Sequence, residues 1–301
     1  MKLDKTQKKA IYDFFLAVDE NLSGFRNPSL KEALEKAENE AEVLTEKKPQ
    51  INKSTNLKPK AGFDAVNENT AEYTPKTLDN EQPSSFTPTL PTTNDNNTVL
   101  SEKELWALSQ VEYDVSNCKA CDLSRTRNKT VFGEGCFTFA KEQEPKSRPT
   151  VLVIGEGPGF DEDRTGRPFV GRAGQLLDKM LIAIGLSRHT NCYICNVVKC
   201  RPPNNREPAP KEVAACLPYL TKQIEIIRPA FILLMGRTAC HALLDTSVGI
   251  NRLHGKFFNL MGIPAICTYH PSALLHNEIL KRPAWEDLKI LRERLNAENK
   301  S

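Results

Sequence analysis

The sequence predicts an α/β protein: a three-layer α/β/α sandwich on a central, mainly parallel four-stranded sheet, with a largely disordered N-terminal extension. Three observations predict it. Four short apolar runs, rich in β-branched residues, fall at 150–154, 192–198, 231–235 and 265–269. Each is followed by a loop signal, and helical patterns lie between them. The first hundred residues have a different, polar texture, which places the sandwich in 101–301. Strands that alternate with helices form parallel sheets covered on both faces.

Taken in chain order, residues 3–20 predict a short amphipathic helix with Ile11, Phe14, Phe15 and Val18 on one face. Residues 28–47, rich in Glu, Lys, Ala and Leu, predict a second, solvated helix. Together these make a helical N-terminal segment over 1–48. From 49 to 100 the chain is dominated by Asn, Thr, Pro, Ser, Glu and Lys. Such a stretch buries too little apolar area to offset its conformational entropy, and predicts a disordered linker. Within the sandwich, helices are expected at 173–184, 211–228, 238–244 and about 273–295, the last broken at Pro283. In a parallel sheet the ligand site lies beyond the carboxyl ends of the strands. The turns at 155–159, 196–201, 236 and 270–272 are therefore expected to meet at one rim.

The net charge of +3 hides an asymmetry. Residues 1–100 carry 13 Lys/Arg and 16 Asp/Glu, a net of −3; residues 101–301 carry 28 and 22, a net of +6. The basic part is compatible with a polyanionic partner. There is no membrane-spanning apolar run. The charged N-terminus MKLDKTQKK lacks a signal-peptide core, so a cytoplasmic protein is expected. In that reducing setting the nine cysteines point to metal binding or burial rather than disulfides.

The stretch from Val151 to Gly159 (VLVIGEGPG) reads as a buried strand entering a glycine-rich turn. Its glycines fall as G-x-G-x-G, not as the G-x-G-x-x-G of a dinucleotide site, and Asp161, Glu162 and Asp163 follow. Three acids would repel a pyrophosphate, so a dinucleotide site is disfavoured.

Cys118 and Cys121 form a C-x-x-C; Cys200 opens the run CRPPNNR, and Cys216 follows it after fifteen intervening residues. Two close thiolates and two distant ones suit zinc or an iron–sulfur cluster, and spacing alone does not separate these. A redox pair is the weaker reading, because this C-x-x-C does not follow a strand. Cys192, Cys195, Cys240 and Cys267 sit in apolar runs, where a thiol acts as a small hydrophobe, and Cys136 falls in a loop.

The motifs GEGPG, GRPFVGRAGQLLDKML, NVVKCRPPNNREP, a helix carrying Cys216, and TYHPSALL, in that order, resemble the family 4 uracil-DNA glycosylases, iron–sulfur members of the uracil-DNA glycosylase superfamily. The resemblance spans about 115–295 and does not reach the first hundred residues. It implies an enzyme that flips uracil out of DNA and hydrolyses its N-glycosidic bond, leaving an abasic site without strand cleavage. It implies a 4Fe–4S cluster on Cys118, Cys121, Cys200 and Cys216. Glu156 matches the family's acidic residue; an aspartate of the best-known branch is replaced here by Gly157. Phe169 matches the aromatic that stacks on uracil, Asn196 the amide that reads its edge, His270 the histidine aimed at O2, and Leu274 the wedge that fills the emptied stack. Gly155, Gly157 and Gly159 would let backbone approach the nucleotide. Ser272 would bond a phosphate or cap a helix; Lys199, Arg201 and Arg206 would contact phosphates or be solvated.

The alternative is a capture protein of the same superfamily that binds uracil-DNA without turnover. Its basic insertion with a histidine after the asparagine motif is missing here, which favours the enzyme. A zinc-stabilised interaction domain is a third reading. At the N-terminus, the spacing of Ile11, Phe14 and Phe15 faintly resembles a sliding-clamp peptide, although the leading glutamine is displaced to Gln7. A helix docking on its own chain is the plainer expectation. A monomer is expected.

Overall fold

The computed structural model describes residues 4–16, 99–141, 144 and 146–298. The helix expected at 28–47 and the linker at 49–98 lie outside the described residues. Val99 and Leu100, expected in the linker, belong to the domain: Val99 bridges Ser147 and Leu100 is buried.

The helices are α1 (Lys5–Leu16), α2 (Glu102–Asn117), α3 (Cys136–Phe139), α4 (Phe160–Thr165), α5 (Arg172–Ala183), α6 (Pro210–Ile227), α7 (Arg237–Leu244), α8 (Ile250–Leu253), α9 (Pro271–His276) and α10 (Lys281–Glu298). The strands are β1 (Glu134–Gly135), β2 (Val151–Gly155), β3 (Cys192–Asn196), β4 (Phe231–Met235), β5 (Phe257–Leu260) and β6 (Ile263–Thr268). They form one six-stranded sheet in the order β1-β3-β2-β4-β6-β5. The four expected runs are its parallel centre.

The two additional strands are antiparallel edges. β1 has only two residues, too short for any periodicity. β5 returns to β6 through Met261 and Gly262, both at positive φ, and Leu260 pairs with Ile263. That is the geometry of a two-residue hairpin. Met-Gly is not a customary hairpin pair, so the sequence carried no turn signal there.

Alternation along each strand divides the core into two. Leu152, Ile154, Tyr193, Cys195, Ile232 and Leu234 pack with α2 and α6 on one face. Val151, Val153, Ile194 and Leu233 pack with α5, α10 and Phe14 of α1 on the other. Each side chain of β2, β3 and β4 is thus buried, as continuous apolar runs in a covered parallel sheet require. Cys192, Cys195, Cys240 and Cys267 are fully buried among these apolar groups, and Cys136 opens α3 instead of lying in a loop.

α1 packs on α5 and shares its compact unit with the described residues from Val99 onward. Phe14 is fully buried there, so an aromatic that a sliding clamp would take is already covered by the chain itself. α2 starts at a capping box: Glu104 N–H donates to Ser101 Oγ, and Ser101 N–H donates to Glu104. The C-terminal helix breaks at Asn277, not at Pro283. Pro283 lies in the first turn of α10, where a missing N–H costs nothing. Among the described residues no helix is long and apolar enough to cross a membrane.

Candidate functional site

The sheet order reverses between β2 and β4, and the loops leaving β2, β3, β4 and β6 gather at that switch point. Gly155 and Asn196, the last residues of β2 and β3, are register partners. A Cβ on Gly155 would collide with the Phe169 ring and with Asn196 Oδ1. Phe169 and His270 rings lie 5.6 Å apart between centroids. Gly236, at φ +87°, passes so near His270 that a Cβ would sit 2.8 Å from the histidine Cβ. Gly155, Phe169, Asn196, Gly236 and His270 therefore meet in one cluster beyond the strand ends, where the turns were expected to converge.

The cluster holds two unsatisfied polar atoms. Among the described residues three buried side-chain N or O atoms lack a partner: Asn196 Oδ1, His270 Nε2 and Arg292 Nη1. Two of the three belong to this cluster. His270 Nδ1 accepts the Ser272 backbone N–H at 3.2 Å and lies 2.7 Å from Ser272 Oγ. A ring nitrogen that accepts an N–H carries no proton, so the neutral imidazole holds its proton on Nε2. Burial lowers the His270 pKa to about 4, which keeps the ring neutral at ordinary pH. An acceptor on Asn196 and a donor on His270 thus face an aromatic ring.

Phe169 stands at φ +51°, a region that bulky side chains rarely adopt. Its neighbours hold it there. Val170 and Gly171 N–H groups both donate to Glu162 Oε1, at 2.8 and 2.9 Å. The guanidinium of Arg188, 4% exposed, donates to the carbonyls of Pro168 (2.9 Å) and Phe169 (2.8 Å). Arg188 also pairs with Glu134 at 2.7 Å and Asp178 at 2.8 Å. Sequence reasoning missed Arg188, Glu134 and Glu162. No local pattern marks an arginine whose partners lie 10 to 54 residues away.

Glu156 follows Gly155 on the same turn. Its Oε2 accepts from Thr238 Oγ1 at 2.6 Å. The hydroxyl also lies 3.3 Å from Glu207 Oε1, and Glu207 accepts from Arg237 at 2.6 Å. Burial raises the Glu156 carboxyl above the usual carboxylate range. The Thr238 bond and the charge of Arg237 oppose that rise, and the charge of Glu207 adds to it.

Other expected site residues have different settings. Leu274, expected as a wedge, is fully buried in the core cluster with α5 and α10 and presents no surface to a ligand. Ser272 is engaged by His270 rather than being free for a phosphate. Lys199 is neither a surface contact nor solvated: it is 1% exposed, and its ammonium donates to Asn196 O (2.9 Å) and to Gln223. Arg206 pairs with Glu212 at the start of α6. Arg201 donates to Asn205 and lies 5.2 Å over the Phe160 ring. A Cβ on Gly157 would approach Val198 to 2.7 Å, so the chain's own packing requires that glycine.

Cys118, Cys121, Cys200 and Cys216 line a cavity, with Arg127 and Tyr219 at its wall. N–H groups point at its sulfurs. Arg127 donates to Cys200 (3.1 Å), the Lys199 backbone to Cys216 (3.2 Å) and the Ala120 backbone to Cys118 (3.5 Å). Burial raises the Cys200 thiol and pushes the Cys216 thiol up to about 11. Four thiols that ring a cavity, with donors aimed at sulfur, fit a cluster ligated by thiolates. Among the described residues no three His, Cys, Asp or Glu side chains close on the position of one metal ion.

A model of the Uracil DNA glycosylase superfamily matches residues 142–289. The chain is 45% identical to a type-4 uracil-DNA glycosylase of Thermotoga maritima, over 58% of this chain and 88% of that protein. It is 37% identical to one from Archaeoglobus fulgidus, over 62% and 92% respectively, and 39% identical to one from Saccharolobus solfataricus, over 63% and 87%.

Proposed function

Since the chain belongs to the type-4 uracil-DNA glycosylases of the uracil-DNA glycosylase superfamily, we propose that the pocket of Gly155, Phe169, Asn196 and His270 receives uracil flipped out of DNA. The protein is a hydrolase of N-glycosyl bonds that excises uracil in DNA repair. The observation that carries the pocket assignment is the pair of orphaned atoms, Asn196 Oδ1 and His270 Nε2. Uracil offers a donor at N3–H between two carbonyl acceptors. Asn196 Oδ1 takes N3–H, its amide N–H meets O4, and His270 Nε2–H meets O2. Cytosine presents the opposite pattern at N3 and C4, and would leave buried groups unpaired.

Extruding the base costs a few kcal/mol, and stacking on Phe169 offsets about 1–3 kcal/mol of it. As the glycosidic bond breaks, negative charge gathers on uracil and positive charge on the sugar. The neutral His270 donates to the developing anion from a position fixed before the reaction. Glu156 holds the attacking water or steadies the sugar cation. The buried ammonium of Lys199 is committed to Asn196 O and Gln223 and offers no amine to the sugar. Simple hydrolysis to an abasic site follows, without strand cleavage.

Cys118, Cys121, Cys200 and Cys216 would hold a 4Fe–4S cluster. When bound, such a group crosslinks the segment after α2 to the loop of Arg201 and the helix of Cys216, a structural role. The nine cysteines, all free, accord with a reducing cytoplasm.

The test is a labelled oligonucleotide with one uracil, incubated with the enzyme and split between hot alkali and none. Cleavage only after alkali is expected, lost in Asn196→Ala and His270→Ala proteins. A denaturant-resistant complex without release would replace excision by capture.

A further inference from the structure

The turn after β4 was expected at the rim but was given no task. Its first residues touch two of the proposed catalytic groups from one side. Gly236 lies against His270, and Thr238, 7% exposed, donates to Glu156 at 2.6 Å. Resting on the uracil-excision reading, we propose that Thr238 is a positioning residue for Glu156, with Glu207 and Arg237 completing the arrangement. A threonine hydroxyl has one proton. At 2.6 Å it goes to Glu156, while Glu207 at 3.3 Å is held by Arg237. This fixes one carboxylate oxygen of Glu156 and leaves the other for water or sugar. It also favours the ionised form, against burial and against the charge of Glu207.

Single-turnover excision by wild type, T238V, T238S, E156Q and the T238V/E156Q double variant tests this, each measured across pH. A hydrogen bond to a charged group predicts a loss of about tenfold to a hundredfold in T238V. The acid limb of the rate profile moves to higher pH, because the Glu156 carboxylate has lost a donor. T238S restores rate and limb. In the E156Q background, T238V costs less than about twofold, as expected when one residue acts through the other. An equal loss in both backgrounds overturns the assignment, as does a T238V profile like that of wild type. Excision by wild type with an unmoved T238V overturns the assignment of Thr238 alone. No excision by any form overturns the uracil reading as well.

Discussion

At Gly155 a single methyl group would displace two of the proposed recognition groups, because the Phe169 ring and Asn196 Oδ1 already occupy the space beside it. Gly155→Ala is therefore expected to abolish excision while retaining any visible absorbance of the thiol-bound group; activity and absorbance on one sample check it. His270 gives a prediction in pH. Its folded pKa, about 4, lies below the unfolded value near 6.5. Between these the unfolded chain binds the extra proton, so this residue's share of stability is full above about 6.5 and is lost as pH falls towards 4. Denaturant midpoints across that window should flatten in His270→Gln relative to wild type. By NMR the His270 ring should titrate near 4, with Nε2 carrying the proton above it. The identities of Asn196, Phe169 and His270 were legible in the motifs. The tautomer was not, because it depends on an N–H contributed by the turn at Ser272.

Elements hold these side chains through contacts that no local pattern announces. The Phe169 loop is fixed at positive φ by Glu162 on α4 and by Arg188, which also reaches β1 and α5. Arg188→Met would leave buried Glu134 without its innermost partner. A loss of about 3–5 kcal/mol is expected in urea unfolding, with excision falling further than stability alone explains. α1 is a second case. Its apolar face was legible, but its partner was not, and Phe14 fills a place against α5. Phe14→Ala should cost about 3–5 kcal/mol by chemical denaturation, with excision at low temperature preserved. Sliding-clamp binding unchanged by that variant would remove the clamp as a partner.

For the whole molecule, the four thiols join segments 98 residues apart in sequence, from Cys118 to Cys216. Replacing Cys118 or Cys216 by Ser should bleach visible absorbance and lower the melting temperature, with iron content measured alongside. The basic balance of 101–301 suits a DNA-binding body. By itself the sequence determined the parallel centre of the sheet and the turns that leave it, and it named the thiol set and the recognition residues that are proposed above. Period, glycine placement and motif order are all written in short stretches of chain. Tertiary structure alone decided the edge strands, the clamp on Phe169, the bond from Thr238 to Glu156, and the burial of Leu274. Burial and hydrogen-bond partnership are properties of distant segments brought together. The hydrophobic character of Leu274 does not say whether it is exposed or covered; what packs over it does, and only the folded chain fixes that.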